Sequence, residues 1–192
     1  MRLQTVILPG LALAVFLGCS GGGGGSSSTP PADTATTLTF TPGTSTGYRL
    51  AKNPASTGTT LVLDLYGPTG TTAQGVALFL TADTSMVSWA KPAGSNGKYT
   101  LPGTAFNLGA APQIYAEKLT DPDLQVGLFQ KTGSVTFAAN APIVTVALSL
   151  LSGVSPGDVA LTETSGTQAI VLNADGTTAN LPALDLGTVS AD

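Results

Sequence analysis

From about Thr34 onward, apolar residues recur at every second position in short runs separated by Gly, Pro and Asn. In Thr60-Leu61-Val62-Leu63-Asp64-Leu65-Tyr66, the three leucines fall on one face of a period-two ribbon. Gly67-Pro68-Thr69-Gly70 breaks the run as a turn. The next run, Gly75 to Thr81, places Val76, Leu78 and Leu80 on one face and Phe79 on the other. Two apolar faces predict a central strand. The same pattern predicts strands over Thr37–Thr41, Met86–Ala90, Ile114–Leu119, Leu124–Gln130, Val135–Phe137, Ile143–Leu150, Val159–Glu163 and Gln168–Leu172. Ile143 to Leu151 is apolar enough for a helical turn. Its β-branched Ile143, Val144, Thr145 and Val146 favour a buried strand instead. Short Thr- and Val-rich strands with turns between them predict an all-β, antiparallel β-sandwich of jelly-roll type, with few helices.

The first eighteen residues follow a different pattern. Arg2 precedes an apolar run from Val6 to Leu17, interrupted only by Pro9-Gly10. That length suits a secretory signal peptide better than a span. Gly18 and Cys19 end the run, and Cys19 is the chain's one cysteine. Here the sequence resembles the lipobox of bacterial lipoproteins, with Phe16 and Leu17 standing where the family has Leu and a small residue. The resemblance implies cleavage before Cys19, acylation of its thiol and anchoring in a lipid bilayer through two or three chains, enough for stable attachment. By the same resemblance, Ser20 in place of Asp after the cysteine favours the outer membrane of a bacterial cell envelope. Residues 19–33 are Gly, Ser, Thr and Pro apart from Cys19 and the closing Ala32-Asp33, and such a chain is a flexible tether. The expected organisation is therefore a signal peptide over 1–18, a lipidated tether over 19–33 and a sandwich over 34–192.

Charge narrows the partners. The chain carries seven Lys and Arg against eleven Asp and Glu. Loss of Arg2 with the signal leaves a net charge of −5, and the lysines are scattered singly, so no basic stripe exists for nucleic acid. One cysteine makes a disulfide framework impossible, and the core must hold the fold.

Catalytic chemistry finds little to work with. Histidine is absent, which removes the commonest general base and metal ligand. No Gly-x-Ser-x-Gly elbow occurs, and the carboxylates from Asp64 to Asp185 sit mostly beside turn residues. No enzyme activity and no cofactor is expected. Asp121-Pro122-Asp123 and Asn173-Ala174-Asp175-Gly176 are acidic loops, but calcium needs more converging oxygens and a bidentate acid near the loop end. Both read as turns, the second with Gly176 at positive φ, and no metal site is assigned.

The order of strands carries a second resemblance. Leu61-Val62-Leu63-Asp64-Leu65, a Gly-containing turn and Gly75-Val76-Ala77-Leu78-Phe79-Leu80-Thr81-Ala82-Asp83 resemble the opening of cohesin domains. Leu128-Phe129, Ile143-Val144-Thr145-Val146-Ala147-Leu148 and Gly157-Asp158-Val159-Ala160-Leu161-Thr162 continue the order over about two-thirds of the domain. The resemblance implies a nine-stranded jelly-roll sandwich that binds a dockerin-like exported protein through one sheet face. Cohesins often place polar residues after the Gly-Val pair; here Leu78, Phe79 and Leu80 stand, so no contact residue is carried over. The expected function is thus a membrane-anchored surface lipoprotein with a non-catalytic, cohesin-like interaction module. Two alternatives stand beside it: a carbohydrate-binding module and a purely structural envelope lipoprotein. Binding of a polysaccharide would need exposed rings, and Trp89, Tyr99 and Tyr66, followed by Tyr48 and Tyr115, are the candidates. The alternative for Trp89 is that it plugs the edge of the sandwich.

Overall fold

The computed structural model describes residues 33–106, 113–182 and 184–192. Cys19, the signal and the tether up to residue 32 lie outside the described residues. In chain order the strands are β1 Leu38–Thr41, β2 Arg49–Lys52, β3 Thr60–Tyr66, β4 Thr72–Ala73, β5 Gly75–Ala82, β6 Val87–Ala90, β7 Thr100–Pro102 and β8 Gln113–Thr120. They continue with β9 Asp123–Gln130, β10 Val135–Thr136, β11 Val144–Leu150, β12 Gly157–Val159, β13 Leu161–Glu163, β14 Ile170–Leu172, β15 Thr178–Asn180 and β16 Thr188–Ala191. Among the described residues there is no helix.

Two large sheets form the layers. One runs β2-β3-β11-β6, with β7 also paired to β11; the other runs β15-β14-β5-β9-β8, with β13 also paired to β5. Every pairing between these strands is antiparallel. A smaller sheet, β1-β16-β12, and the two-stranded β10-β4 complete the fold. Register explains the core. Leu61, Leu63 and Leu65 stand opposite Leu148, Val146 and Val144 on β11. Val76, Leu78 and Leu80 stand opposite Leu128, Val126 and Leu124 on β9. All twelve are buried and belong to one hydrophobic cluster shared by the two sheets. The alternation visible in the sequence is therefore the inside–outside alternation of a sandwich.

Strand β5 is central, as its two apolar faces predict, with β9 on one side and β13 and β14 on the other. Val144–Leu150 is a strand, β11, rather than a helical turn, one residue shorter at its start than the expected Ile143–Leu150. The run Val159–Glu163 does not form the single strand expected. It divides at Ala160: β12 pairs with β16, whereas β13 pairs with β5 in the six-stranded sheet. The Ala160 carbonyl accepts a hydrogen bond from the Asp83 amide at the crossing. A chain that changes sheets must give up one ladder to join another, which no local pattern records.

One end of the sandwich is closed by aromatic rings. Phe137 packs edge-on against Tyr48 and Phe106, with centroids 5.9 Å apart in each pair, the spacing of favourable T-shaped contacts. Tyr48, a candidate surface ring by sequence, is buried, and burial pushes its phenol up to about 12. A Cβ at Gly67 would overlap the Phe137 ring, so only glycine fits beneath it.

Candidate interaction face

Outward-pointing residues of the six-stranded sheet follow from the same register. Ala77, Gly127 and Ala116 form one cross-strand row, and Phe79, Gln125 and Lys118 the next. Leu172, Gly75 and Phe129 lie on the row before them, and Ile170 joins the row of Ala77. Inward neighbours Val126, Leu128 and Val171 are buried, whereas Phe79, Phe129, Ile170 and Leu172 remain half-exposed. The outer surface of this sheet is therefore apolar over several strands, an unusual state for a solvated face.

The glycines shape it. A Cβ at Gly75 would overlap the Phe129 ring, and one at Gly127 would come within 2.8 Å of it. Phe129 thus lies down across two strands over backbone that has no side chains, instead of standing off the sheet. The small residues Ala77, Gly127 and Ala116 leave a shallow trough of about 240 Å³, bounded by Phe79, Gln125 and Lys118. In the sequence Phe129 enters only through the order of strands, and Phe79 as a mark of a central strand and a departure from the cohesin pattern; neither stands out as a surface ring. The Gly-x-Phe spacing in Gly127-Leu128-Phe129, with Phe129 opposite Gly75, is the available signal, but it gains meaning only once β5 and β9 are paired.

The outer surface of the five-stranded sheet differs. Along β3 and β11, Thr60, Asp64, Thr145 and Ser149 point outward, with the buried pair Val62 and Ala147 in the row between them. Asp64 is 5% exposed, and its carboxylate accepts from Thr145 Oγ1 at 2.5 Å and Asn53 Nδ2 at 2.7 Å. A satisfied buried carboxylate of this kind stabilises its own sheet and offers nothing to a partner.

Where the two sheets meet, β7 is held to β8 by a clasp. Glu117 accepts hydrogen bonds from the Tyr99 amide (3.0 Å), the Thr100 amide (2.9 Å), Thr100 Oγ1 (2.6 Å) and the Tyr115 hydroxyl (3.0 Å). Burial alone would raise the Glu117 carboxyl, but these donors outweigh it and hold it below its ordinary 4.5. Burial pushes the Tyr115 phenol up to about 12. Because the folded carboxyl is depressed, its stabilisation is present above the carboxylate range and is lost as pH falls below 4.5. Glu117→Gln is expected to lose about 1–2 kcal/mol at neutral pH, a charge-assisted hydrogen-bond value reduced for partial solvent exposure. Urea denaturation of the two proteins should show that gap close on acidification. A gap independent of pH would refute the clasp.

The aromatic candidates separate. Trp89 is 6% exposed, and its indole N–H donates to the Pro122 carbonyl at 2.8 Å. It faces the core from β6, opposite Leu148, so it is a structural residue and not a surface ring. Tyr66 ends β3, with the Arg49 guanidinium 5.6 Å from its centroid. Burial raises its phenol, with Asp64 adding and Arg49 opposing. Tyr99 stands at the β7–β8 clasp, with Lys91 Nζ 5.2 Å from its ring. The structure does not gather Trp89, Tyr66 and Tyr99 into one platform.

The acidic loops are turns. Asp121-Pro122, joined by a cis peptide bond, links β8 to β9. Asn173 to Thr177 links β14 to β15, with Gly176 at φ 83° and the Asp175 carboxylate accepting from the Thr177 amide and hydroxyl. No group of three or more potential metal ligands converges among the described residues.

No family model matches the chain, and no curated protein matches it. Solved structures do. A type II cohesin domain from the cellulosome of Acetivibrio cellulolyticus is 12% identical, with a TM-score of 0.53 over 74% of this chain and 93% of that one. The second type II cohesin module of the adaptor ScaA scaffoldin, from the same organism, is 10% identical, with a TM-score of 0.55 over 74% of this chain and 86% of that one. The cohesin-bearing structure of a type II Cohesin-X-Dockerin complex, also from that organism, is 10% identical, with a TM-score of 0.55 over 73% and 93%. At such identities the likeness is one of fold: the described residues form an antiparallel β-sandwich like that of cohesin domains.

Proposed function

We propose that this chain is a non-catalytic interaction module that docks an exported protein of dockerin-like kind on the outer face of its six-stranded sheet. The observation that carries the reading is the apolar surface of Phe79, Phe129, Ile170 and Leu172, with Phe129 laid flat by Gly75 and Gly127. Ordered rings on a sheet lose little side-chain freedom when a partner covers them. The cohesin-type fold supports the same reading, since a structural neighbour is a Cohesin-X-Dockerin complex. A photo-crosslinking phenylalanine analogue placed at Phe79 should give a discrete protein adduct in the native envelope, and the same analogue at Thr60 on the opposite sheet should give none. Equal adducts at both positions, or none at either, would refute the face.

Anchoring completes the proposal. In it Cys19 is acylated and Ser20 to Asp33 tether the module to the outer membrane of a bacterial envelope. The support is the apolar run ending in Gly18-Cys19 and the Gly/Ser stretch after it. Labelled palmitate should enter the protein, and Cys19→Ala should abolish incorporation and release the chain from the membrane fraction. Label retained after the substitution would sink the anchor without touching the docking face.

A further inference from the structure

Arg49 opens β2 on the edge of the five-stranded sheet, in the outward row that it shares with Tyr66. Its guanidinium is half-buried, stands 5.6 Å from the Tyr66 ring centroid and makes a long contact, 3.4 Å, to the Gly47 carbonyl. A guanidinium carries five N–H donors in a planar fork. The rest of that fork faces a cavity of about 480 Å³ that Arg49 shares with Ser45, Thr46, Pro68 and Thr69. The two acids beside it are turned elsewhere. Asp185, bridged to Arg49 through the backbone, accepts from the Ser45 amide at 2.9 Å and from the Gly187 amide at 3.1 Å. Asp64, two residues before Tyr66 on β3, accepts from Thr145 and Asn53.

The walls of the cavity are fixed in advance. A Cβ at Gly43 would overlap the Asp185 carboxylate, so the β1–β2 loop closes around that group only because glycine stands there. Ser45 Oγ accepts from the Gly47 amide at 3.0 Å and keeps its own proton to donate. Across the cavity, the Thr71 amide donates to Pro68 O and the Gly70 amide to Phe137 O. With Gly70 at φ 83°, these bonds set Thr69 at the corner of a tight turn.

One cation and three hydroxyl side chains in one cavity define the chemistry of a ligand. The arginine fork matches the two oxygens of a carboxylate. A single cation balances one negative charge. A phosphate monoester, with a charge of about −1.5 to −2, would leave an excess in a domain that is already net negative. Hydroxyl side chains both donate to and accept from alcohols, and the volume falls within the roughly 300–1,000 Å³ of small-ligand sites.

We propose that this cavity binds a sugar acid, with the carboxylate of a uronate unit on the Arg49 fork and its ring hydroxyls on Ser45, Thr46 and Thr69. The site belongs to the sheet opposite the docking face and is independent of it.

The test is calorimetric titration of the full chain with trigalacturonate at low salt. The parent is expected to bind it, and to bind galactotriose, which lacks the carboxylates, about tenfold or more weakly. Arg49→Gln is expected to lose about tenfold in affinity, the effect of one charge-assisted contact. Arg49→Lys keeps the charge without the fork and should lose about threefold. Thr69→Val removes one hydroxyl from the facing wall and should also lose about threefold. Lys118→Gln, an equal loss of charge on the other sheet, should stay within about twofold of the parent. Absence of binding by the parent would overturn the assignment, as would equal binding of galactotriose or displacement by an equal concentration of inorganic phosphate. Equal binding by Arg49→Gln with an unchanged melting midpoint would overturn it too. Should Arg49→Gln lower the midpoint, Thr69→Val decides, and binding by it at the parent's strength refutes the site.

Discussion

Trp89→Ala is expected to destabilise the domain by about 3–5 kcal/mol, the range for removing a large buried aromatic. Two losses combine. The cavity opens at the inner face of β6 opposite Leu148, and the Pro122 carbonyl loses the indole donor now 2.8 Å away. In a domain of this length the melting midpoint should fall by roughly 6–20 °C. Trp89→Phe separates the terms: it keeps most of the apolar volume but leaves Pro122 without its donor, and should cost about 1–3 kcal/mol. Calorimetry and urea denaturation read both. A ring serving as an exposed sugar platform would behave otherwise, with substitution leaving the midpoint nearly unchanged. An unchanged midpoint for Trp89→Ala would therefore return Trp89 to the surface.

Phe79→Asp should have the opposite profile: little loss of stability and a large loss of binding. Phe79 is half-exposed on an outward row between Ala77 and Thr81, so a polar replacement removes modest buried area and costs under about 1 kcal/mol. Against a partner lying over the sheet, the same change places an unpaired carboxylate at the centre of an apolar contact. Central interface residues of this kind carry about 2 kcal/mol or more, roughly 30-fold in affinity. The measurement is the affinity of the protein crosslinked at this face, beside the melting midpoint of the variant. A fall in affinity of less than about threefold with the fold intact would show that the partner sits elsewhere.

The two aromatic residues illustrate why the strands were legible and the face was not. Val87-Ser88-Trp89-Ala90 and Ala77-Leu78-Phe79-Leu80 each place an aromatic in a strand, and local pattern alone supports either face for it. Trp89 turns inward because β6 pairs with the inner-facing register of β11. Phe79 turns outward because Leu78 and Leu80 claim the core beside Val126 and Leu124. Short elements escaped for another reason. Strands β4, β7 and β15 have two or three residues, too few for alternation to rise above chance. Their existence depends on a partner strand: β10 for β4, β11 for β7 and β14 for β15. Even β16, which does alternate, is recognised through its pairing with Leu38–Thr41 at the far end of the domain.

The sequence by itself determined the all-β class, the leucine and valine faces of β3, β5, β9 and β11, the turn at Asn173–Gly176 and the lack of any histidine for a site. These follow from the side-chain period of two and from residue chemistry, both of which are local. Only the tertiary structure decided that Glu117 clasps β7 to β8, that the chain changes sheets at Ala160, and that Phe129 lies flat over Gly75 and Gly127. Each of these depends on residues brought together from different strands. Which outward face stays apolar and open is settled by what packs across it, and no single strand carries that information.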